Sequence, residues 1–350
     1  MKYINQIFAP ELGVACDNQT LLGLFRPYIE AMEMSEEERT RLWDFVRFQL
    51  VGERSRRSLT EDWGGQIEFA DHARAFESGV ERACDALAAQ IQAAAQGVSF
   101  DALICTTGSG NLMPGISYRL ARRLPEQVRP DCLMIDLANV GCTGGLKALN
   151  LVNGLDHRFR NVLIAAVEVP SSVASIRQPA LDVWQANCTF GDGAAALWVS
   201  GNPAQGEHAL AIEEINYRQW SDTGIDLIRW GYRDYYHFAL ADEKTFEGRV
   251  RDYVVQTLAD TETGWKEEPR WAIHPAGIAL LVRISRKLGI PGEAIKPSVA
   301  GYRELSNMSS ASVLHILKNV AETTEPGQAI NLLSMGAGFN VIYGRVRRER

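Results

Sequence analysis

The chain has 350 residues, of which 46% are hydrophobic and 23% charged, and its formal net charge at pH 7 is −7. This length and composition allow a large buried core, in two or three domains or in one layered α/β unit. The negative charge argues against general nucleic-acid binding, and the absence of an apolar run of about 18 residues argues against a membrane span.

The cysteines and the N-terminal sequence bear on the compartment. The six cysteines occur without CxxC pairs, which favours free thiols in a reducing cytoplasm over a disulfide framework or a zinc site. The first residues, MKYINQIFAPELGVACDNQ, lack the apolar core of a secretory signal. We therefore expect a cytoplasmic protein.

The hydrophobic pattern of the N-terminal part predicts helices that alternate with strands. The charged stretch MSEEERTRLWDFVRFQL has apolar residues at helical spacing, and residues 1–50 are predicted to be helical. An alanine-rich helix is predicted at 75–95. Strands and helices alternate in the segments that follow, which is typical of an α/β layered architecture. The further predicted strands are 100–107, 132–140, 161–169 and 193–201, and the predicted helices are 115–124 and 144–157.

The C-terminal part repeats this organisation. It predicts a strand that ends in a loop at 270–277, helices at 278–290 and 307–320, and a strand pair joined by a glycine turn at 329–346. The segments GCTGGLKALNLV and SNMSSASVLHIL share one arrangement, in which a polar or reactive residue is followed by small residues and an amphipathic helix. This similarity indicates an internal duplication.

Cys142 lies between glycines at a predicted strand-to-helix junction. A helix N-terminus carries roughly half a positive charge, which lowers the pKa of a thiol and favours the thiolate. The glycines at 141, 144 and 145 would let a substrate carbonyl approach the backbone closely. The alternative is a buried structural cysteine at a tight turn.

His274 and Asn307 are the other two candidate catalytic residues. His274 follows an apolar strand and precedes a proline, and a satisfied core or surface histidine is the alternative reading. Asn307 is placed as a helix N-cap, which by itself explains an asparagine. With Cys142 the set nevertheless provides a nucleophile, a proton acceptor and a neutral hydrogen-bond donor, which are the groups that thioester chemistry requires.

Six motifs occur in an order that resembles the thiolase superfamily: CTTGSGNLMPGISYRLARRL, NVGCTGGLKAL, AAVEVPS, TFGDGAAALWVSG, WAIHPAG and SNMSSASVLHIL. The NLMPG, FGDGAAAL and NMSSAS segments are most similar to type III polyketide synthases, the chalcone synthase-like enzymes. This resemblance implies a five-layer αβαβα thiolase-like fold made of two similar halves, residues 1–202 and 203–350, in a homodimer.

The resemblance also implies a reaction. A Cys142 thiolate, paired with protonated His274, would attack an acyl thioester, and malonyl-CoA would lose carbon dioxide to give an enolate that His274 and Asn307 stabilise. Coenzyme A thioesters are then substrates, and no metal or redox cofactor is expected. Two alternatives remain open: a ketoacyl-ACP synthase III-like ketosynthase that depends on an acyl carrier protein, and a non-catalytic thiolase-fold binding partner.

Further residues gain expected roles from the same resemblance. Arg54, Arg56 and Arg57 correspond to a basic segment that meets the coenzyme A phosphates, although a solvated charged helix end is the alternative. Met113 corresponds to a methionine that crosses the dimer interface, unless it is ordinary core. The remaining expected substrate-binding residues are Thr107 and, as aromatic gatekeepers, Tyr236 or Phe238.

The chain also departs from the pattern of this family. Ser306 stands where the family usually has glycine before the catalytic asparagine, and SMGAGFN replaces GFGPG. No aromatic residue occurs between Glu168 and Trp184, where many members have a gatekeeper phenylalanine. We therefore expect an open junction and an acyl starter that is longer or bulkier than a coumaroyl group.

Overall fold

The computed structural model describes residues 1–60, 68–204, 209–232, 235–259, 261 and 264–349. Its secondary structure alternates between strands and helices along most of the chain. The strands are β1 (Tyr3–Phe8), β2 (Val14–Asp17), β3 (Ser55–Ser58), β4 (Phe100–Thr107), β5 (Val128–Ala138), β6 (Asn161–Glu168), β7 (Gly193–Ser200), β8 (Leu210–Gln219), β9 (Ile228–Tyr232), β10 (Tyr236–Leu240), β11 (Trp271–Ile273), β12 (Ala329–Gly336) and β13 (Asn340–Arg348). The helices are α1 (Asn18–Glu30), α2 (Glu36–Gln49), α3 (Phe69–Ala94), α4 (Ile116–Ala121), α5 (Gly144–Gly154), α6 (Leu181–Thr189), α7 (Ser221–Gly224), α8 (Glu243–Ala259), α9 (Ile278–Leu288), α10 (Gly292–Leu305) and α11 (Ser312–Glu322).

The main sheet of the described residues has nine strands in the order β11-β12-β13-β8-β1-β7-β6-β4-β5. Two runs of strands show the same pairing pattern. In the first, β4 is parallel to β6, and β6, β7 and β1 are successively antiparallel. In the second, β11 is parallel to β12, and β12, β13 and β8 are successively antiparallel. The runs meet where β1 pairs with β8, through Tyr3↔Ala211 and Ile4↔Leu210.

Helices α5 and α11 form the middle of the molecule. Leu149 of α5 and Leu314 of α11 belong to one buried cluster together with Ile104 of β4 and Leu332 of β12, so both runs of strands face the same two helices. Neighbouring strand residues point the other way because side chains alternate between the two faces of a sheet. Leu103 of β4 thus packs in the cluster of α3 and α4, and residues of β11–β13 pack with α8, α9 and α10. The outcome is five layers, helix, strand, helix, strand, helix, as predicted.

A separate apolar cluster joins α1 and α2 to α6. Phe25 of α1 meets Trp184 of α6 edge to face, with ring centroids 5.1 Å apart, and Val46 of α2 is fully buried beside them. Each large apolar side chain that is buried in this way contributes about 1.5–3 kcal/mol. The cluster therefore holds α6, whose C-terminal end leads into the candidate site.

Most predicted elements are present, but the reading of residues 1–50 as helical is only partly right. Strands β1 and β2 lie within it, and β1 is a central strand between β7 and β8, a pairing with distant residues that a local pattern does not reveal. The division at residues 202 and 203 stays a prediction, since the sheet continues across it. Within the described ranges, no helix has the length and apolarity that crossing a membrane requires.

Two helical glycines provide a test of this packing. A Cβ added to Gly79 of α3 would lie 2.5 Å from Cγ1 of Val169, whereas a Cβ on Gly248 of α8 would meet nothing within 4 Å. We expect Gly79→Ala to lower the free energy of unfolding by about 1–3 kcal/mol through overpacking. Gly248→Ala should raise it by about 0.5–1 kcal/mol, because glycine loses more backbone entropy in a helix. Thermal unfolding of the two variants measures both effects, and shifts of the same sign would contradict the packing.

Candidate active site

The candidate site lies where the parallel strands end. Strand β4 ends at Thr107, β6 at Glu168 and β11 at Ile273, and the carboxyl ends of parallel strands are where α/β proteins usually bind ligands. Cys142 lies in a 3-10 turn, Gly141–Thr143, that joins β5 to α5. His274 directly follows β11, and Asn307 precedes a matching 3-10 turn that leads into α11. Both runs of strands thus contribute to one site.

The Cys142 turn is fixed by hydrogen bonds to β12 and β13. The hydroxyl of Ser334 donates to the carbonyl of Cys142 at 3.2 Å, and the hydroxyl of Thr143 donates to Oδ1 of Asn340 at 2.7 Å. Gly141 has a φ of +64°, in the left-handed region that glycine adopts without strain. The nucleophile candidate is therefore presented by a rigid turn.

Asn307 is held by its backbone and by its side-chain oxygen. Its N–H donates to the carbonyl of Thr189 at 3.2 Å, and its own carbonyl accepts from the N–H of Gly191 at 3.0 Å. Oδ1 accepts the N–H of Ser309 at 2.8 Å, which leaves the amide Nδ2 as the donor. The side chains of Asn307 and Ser309 lie close enough to the sulfur of Cys142 to lower the pKa of the thiol, against the larger effect of burial. The structure thus brings Cys142 and Asn307 into contact.

His274 is connected to the Cys142 turn through two consecutive residues of β12. Its backbone N–H donates to the carbonyl of Leu333 at 2.7 Å, and the next residue of β12, Ser334, is the one that bonds to Cys142. The imidazole is 1% exposed, and neither of its ring nitrogens has a hydrogen-bond partner among the described residues. Buried polar atoms without partners are rare in folded proteins and often mark functional groups. Burial lowers the pKa of His274 to about 3, so the imidazole is neutral at pH 7.

Burial also shifts the pKa of the Cys142 thiol. The residue as a whole is only partly buried, but desolvation of its sulfur raises the pKa to about 12. The hydrogen bond with Ser309 acts in the opposite direction, and the carboxylate of Glu168 raises the pKa further. Burial thus raises the pKa of Cys142 and lowers that of His274, and the ion pair that the resemblance implies stays a prediction.

Arg56 has a different role from the expected one. Its side chain has no exposed surface, and its guanidinium donates to the carbonyls of Asn187, Cys188 and Phe190 at 3.0, 2.8 and 2.9 Å. Burial lowers its pKa to about 10, which leaves it charged at pH 7. A positive charge at the C-terminal end of a helix is favourable, here that of α6. Arg56 therefore supports α6 and does not reach a coenzyme A phosphate.

Arg54 is also used within the fold. It donates to the carbonyls of Cys188 and Gln49 at 2.7 and 3.1 Å, and its guanidinium lies 5.0 Å from the ring centroid of Tyr302. These contacts explain Arg54 without a phosphate. Arg57 keeps a quarter of its side chain exposed, at 2.8 Å from a Glu11 carboxylate oxygen, and a role in coenzyme A binding stays a prediction for this residue alone.

Thr107 and Met113 are the other two substrate-binding candidates of the N-terminal part, and they lie in different environments, one buried and one exposed. Thr107 is buried; its hydroxyl accepts the N–H of Ser109 at 3.3 Å and lies 3.5 Å from an oxygen of Glu168. It thus belongs to a hydrogen-bond network behind the site. Met113 is 98% exposed, which rules out the core-packing alternative.

An aromatic pocket adjoins Asn307. Phe190 forms a bridge with Asn307, and its ring centroid lies 6.0 Å from that of Trp230 and 5.8 Å from that of Phe238. Tyr236 and Phe238, the predicted gatekeepers, both line the pocket, which encloses about 350 Å³ including its open mouth. Phe190 was missed, although it stands in the TFGDG motif. It adds an aromatic ring to a pocket next to Asn307, and the expectation of an open junction at Cys142 stays a prediction.

Ser306 keeps the backbone shape of the glycine that it replaces. Its φ is +58° and its ψ −156°, a combination that is almost confined to glycine. Its hydroxyl donates to the carbonyl of Ser55 at 3.0 Å, which anchors the strained residue to β3. The departure from the pattern thus changes the side chain and retains the turn that presents Asn307.

Comparison with known proteins finds similarity to polyketide-forming enzymes. Residues 242–344 match the model of the C-terminal domain of chalcone and stilbene synthases. Over 295 residues, the chain is 28% identical to 1,3,6,8-tetrahydroxynaphthalene synthase of Streptomyces peucetius subsp. caesius, with 80% of this chain and 76% of that protein covered. Over 274 residues, it is 26% identical to 3,5-dihydroxyphenylacetyl-CoA synthase of Amycolatopsis balhimycina, with 76% and 73% covered.

A solved structure establishes the fold. The crystal structure of the C-terminal type III polyketide synthase domain of Steely1, a type I/III hybrid from Dictyostelium, superposes with a TM-score of 0.83. The alignment covers 100% of this chain and 99% of that one, at 18% sequence identity. The predicted thiolase-like fold is confirmed.

Substitutions of Ser306 test the strained turn. Ser306→Ala loses the hydrogen bond to Ser55 and keeps the strain, so it should lower the free energy of unfolding by about 1–2 kcal/mol. Ser306→Gly loses the same bond and relieves strain of about 1–3 kcal/mol. The glycine variant should thus be more stable than the alanine variant by about 1 kcal/mol or more, measured by chemical denaturation. The usual order, with alanine above glycine, would contradict a strained backbone.

Proposed function

Because the chain is a homologue of the type III polyketide synthases, we propose that it joins an acyl thioester to malonyl-CoA by decarboxylative Claisen condensation and forms a polyketide. The observation that carries the proposal is that Asn307 lies near enough to the Cys142 thiol to affect its pKa, while β12 connects the Cys142 turn to His274, whose buried imidazole has no hydrogen-bond partner among the described residues. A structural cysteine needs neither neighbour.

The first step is acyl transfer to Cys142. The neutral imidazole of His274 accepts the thiol proton as sulfur attacks the thioester carbonyl, and the carbon–sulfur bond to coenzyme A breaks. The leaving thiolate then takes the proton from the imidazolium. A neutral histidine suits the role of proton acceptor, since an imidazolium has no free lone pair.

The second step is loss of carbon dioxide from malonyl-CoA. The electron pair of the broken carbon–carbon bond becomes an enolate, whose oxygen accepts hydrogen bonds from Nδ2 of Asn307 and from the His274 ring. Donors fixed in a dry site stabilise such a charge strongly. The enolate carbon then attacks the acyl group on Cys142, the carbon–sulfur bond breaks, and the sulfur leaves as a thiolate. A proton from solvent restores the thiol and replaces the one that left with coenzyme A. The bonding pair comes from the substrate, so the reaction as proposed needs no metal or redox cofactor.

A carrier-protein-dependent ketosynthase is the second candidate, since the same three residues would serve it. The similarity to type III enzymes favours coenzyme A thioesters as donors. The aromatic pocket beside Asn307 favours an apolar or aromatic acyl group. The free thiols of the chain favour a reducing compartment, and we propose the cytoplasm.

The acyl-enzyme provides the direct test of function. The protein incubated with a panel of acyl-CoA starters should gain the mass of one acyl group on the Cys142 peptide, and malonyl-CoA should then yield extended products. Cys142→Ala should remove both results. Asn307→Ala should retain the acyl-enzyme and slow decarboxylation by about 10²–10³-fold, because one oxyanion donor is lost. Acylation that requires an added acyl carrier protein would favour the second candidate, and no acylation from either donor would refute both.

We also propose that two copies of the chain associate along β5. This strand forms one edge of the main sheet, and exposed edges of this kind are usually covered. Leu133 on β5 is 42% exposed, and Met113 and Tyr118 nearby are 98% and 58% exposed. The loop that carries Met113 borders β5, since a Cβ on Gly115 would lie 2.2 Å from Asp136.

Light scattering after size exclusion tests the association. The wild type should have twice the mass of the 38.8 kDa chain, and Leu133→Arg should dissociate it, because it places a charge in an apolar interface. Phe48→Arg is the matched control, since Phe48 is 73% exposed on α2, and it should leave the mass unchanged. A monomeric wild type, or a Leu133→Arg protein that stays dimeric, would contradict the proposed interface.

A further inference from the structure

The aromatic pocket contains a buried polar side chain, that of Asn187 on α6. The other nine residues that line the pocket are apolar or aromatic. Asn187 is 5% exposed, and its amide Nδ2 has no hydrogen-bond partner among the described residues. Buried polar atoms are nearly always paired, so an unpaired donor on a residue that lines a pocket indicates a place for an acceptor on a ligand.

The orientation of the Asn187 amide is fixed by the neighbouring loop. Its Oδ1 accepts the N–H of Ser175 at 3.4 Å, and a backbone N–H can only donate. The reverse orientation would set two donors against each other, so Nδ2 is the end of the amide that is left unpaired. The backbone of Asn187 is held as well, since its carbonyl accepts from the guanidinium of Arg56 at 3.0 Å. The donor is therefore already in place before a ligand binds.

The rest of the lining indicates which acyl group would meet this donor. Trp230 and Tyr236 also carry a polar atom each, but both side chains are partly exposed and neither has a buried polar atom without a partner. A polyketide chain with a ketone on every second carbon would bring several acceptors against an apolar wall, where most of them would lose their hydrogen bonds to water. An aromatic or apolar acyl group with a single oxygen matches the lining better.

The place of the pocket in the fold is compatible with an acyl group on Cys142. Asn187 precedes Phe190 by three residues, and Phe190 forms a bridge with Asn307. A second wall of the pocket belongs to the hairpin β9–β10, which packs against α6 and forms its own two-stranded sheet. A shift of this hairpin would therefore widen the pocket and leave the main sheet intact.

We propose that Asn187 is a specificity-determining residue, whose Nδ2 donates a hydrogen bond to an oxygen atom on an otherwise aromatic or apolar acyl group. The inference rests on the proposed function, since it takes the aromatic pocket as the binding site of the acyl group that is carried by Cys142. The oxygen belongs to an ether, a hydroxyl or a carbonyl, because each of these accepts from an amide N–H. An acyl group of the same shape without the oxygen leaves the buried donor unpaired and binds less tightly.

Matched pairs of acyl-CoA thioesters test this inference. Methoxyphenylpropanoyl-CoA and ethylphenylpropanoyl-CoA have nearly the same shape, with an oxygen in the first where the second has a methylene, and the substituent is placed in turn at the ortho, meta and para positions. Calorimetry on the Cys142→Ala protein measures binding without acyl transfer. The methoxy compound should bind about tenfold more tightly at the ring position that brings its oxygen to Nδ2. Equal affinities at all three positions, or no binding by any compound, would overturn the proposal.

Variants of Asn187 in the same background assign the preference to its amide. Asn187→Leu removes the donor and should abolish the preference for the methoxy compound, while the ethyl compound still binds. If the leucine variant does not fold, Asn187→Ala removes the donor without added bulk and should give the same result. A structural effect on the pocket would weaken both compounds alike and leave their ratio unchanged, so a preference that survives in these variants would overturn the proposal.

Ser175→Ala is the matched control. The hydroxyl of Ser175 is also buried without a partner among the described residues, but Ser175 does not line the pocket. This variant should keep the preference of the parent protein, and loss of the preference would contradict the assignment to Asn187. The binding ratio does not depend on catalysis, so a wild type that fails to form an acyl-enzyme refutes the proposed function and leaves this measurement intact.

Discussion

The site depends on the burial of a polar reaction centre at the seam between two apolar runs of strands. A thiol, an imidazole, a carboxamide and a carboxylate lie there out of contact with water, and burial makes every unpaired charge expensive. The cost of burial is met in different ways for the four groups. Asn307 and Glu168 are held by hydrogen-bond donors, whereas desolvation raises the pKa of Cys142 and lowers that of His274, in both cases away from the charged form. The proton can then move within the pair when a substrate arrives.

The precision of this centre comes from residues that never touch a substrate. Arg56 holds the carbonyls at the end of α6, and α6 leads into Phe190, which is bridged to Asn307. Ser306 turns the chain immediately before Asn307 and is tied to the same strand, β3, that carries Arg56. The basic segment near residue 56 is therefore part of the scaffold of the active site. The guanidinium groups of Arg54 and Arg56 donate to carbonyls at helix C-terminal ends, where a positive group is favourable.

The family model, the fold comparison and the contacts at the candidate site each concern a different part of the chain. The family model covers residues 242–344, which include His274 and Asn307 but not Cys142. The fold matches that of a type III polyketide synthase domain along the whole chain, including the N-terminal part that carries Cys142. The contact of Cys142 with Asn307 then links the two parts in one site. Glu168 also links the two parts, because it accepts hydrogen bonds from Ser109, which follows β4, and from Ser310, in the turn before α11.

The order of the motifs and the local hydrophobic pattern were enough to predict the layered fold, most of its helices and strands, and the three candidate catalytic residues. These features depend on neighbours in the sequence or on motifs that carry their own chemistry. The role of Arg56, the desolvation of Cys142 and the place of Phe190 could only be decided by the tertiary structure. All three depend on burial and on contacts between residues far apart in the chain, such as the carbonyls that surround a guanidinium more than 100 positions away. A sequence pattern identifies which groups are available, but desolvation and distant partners determine their charge and their use.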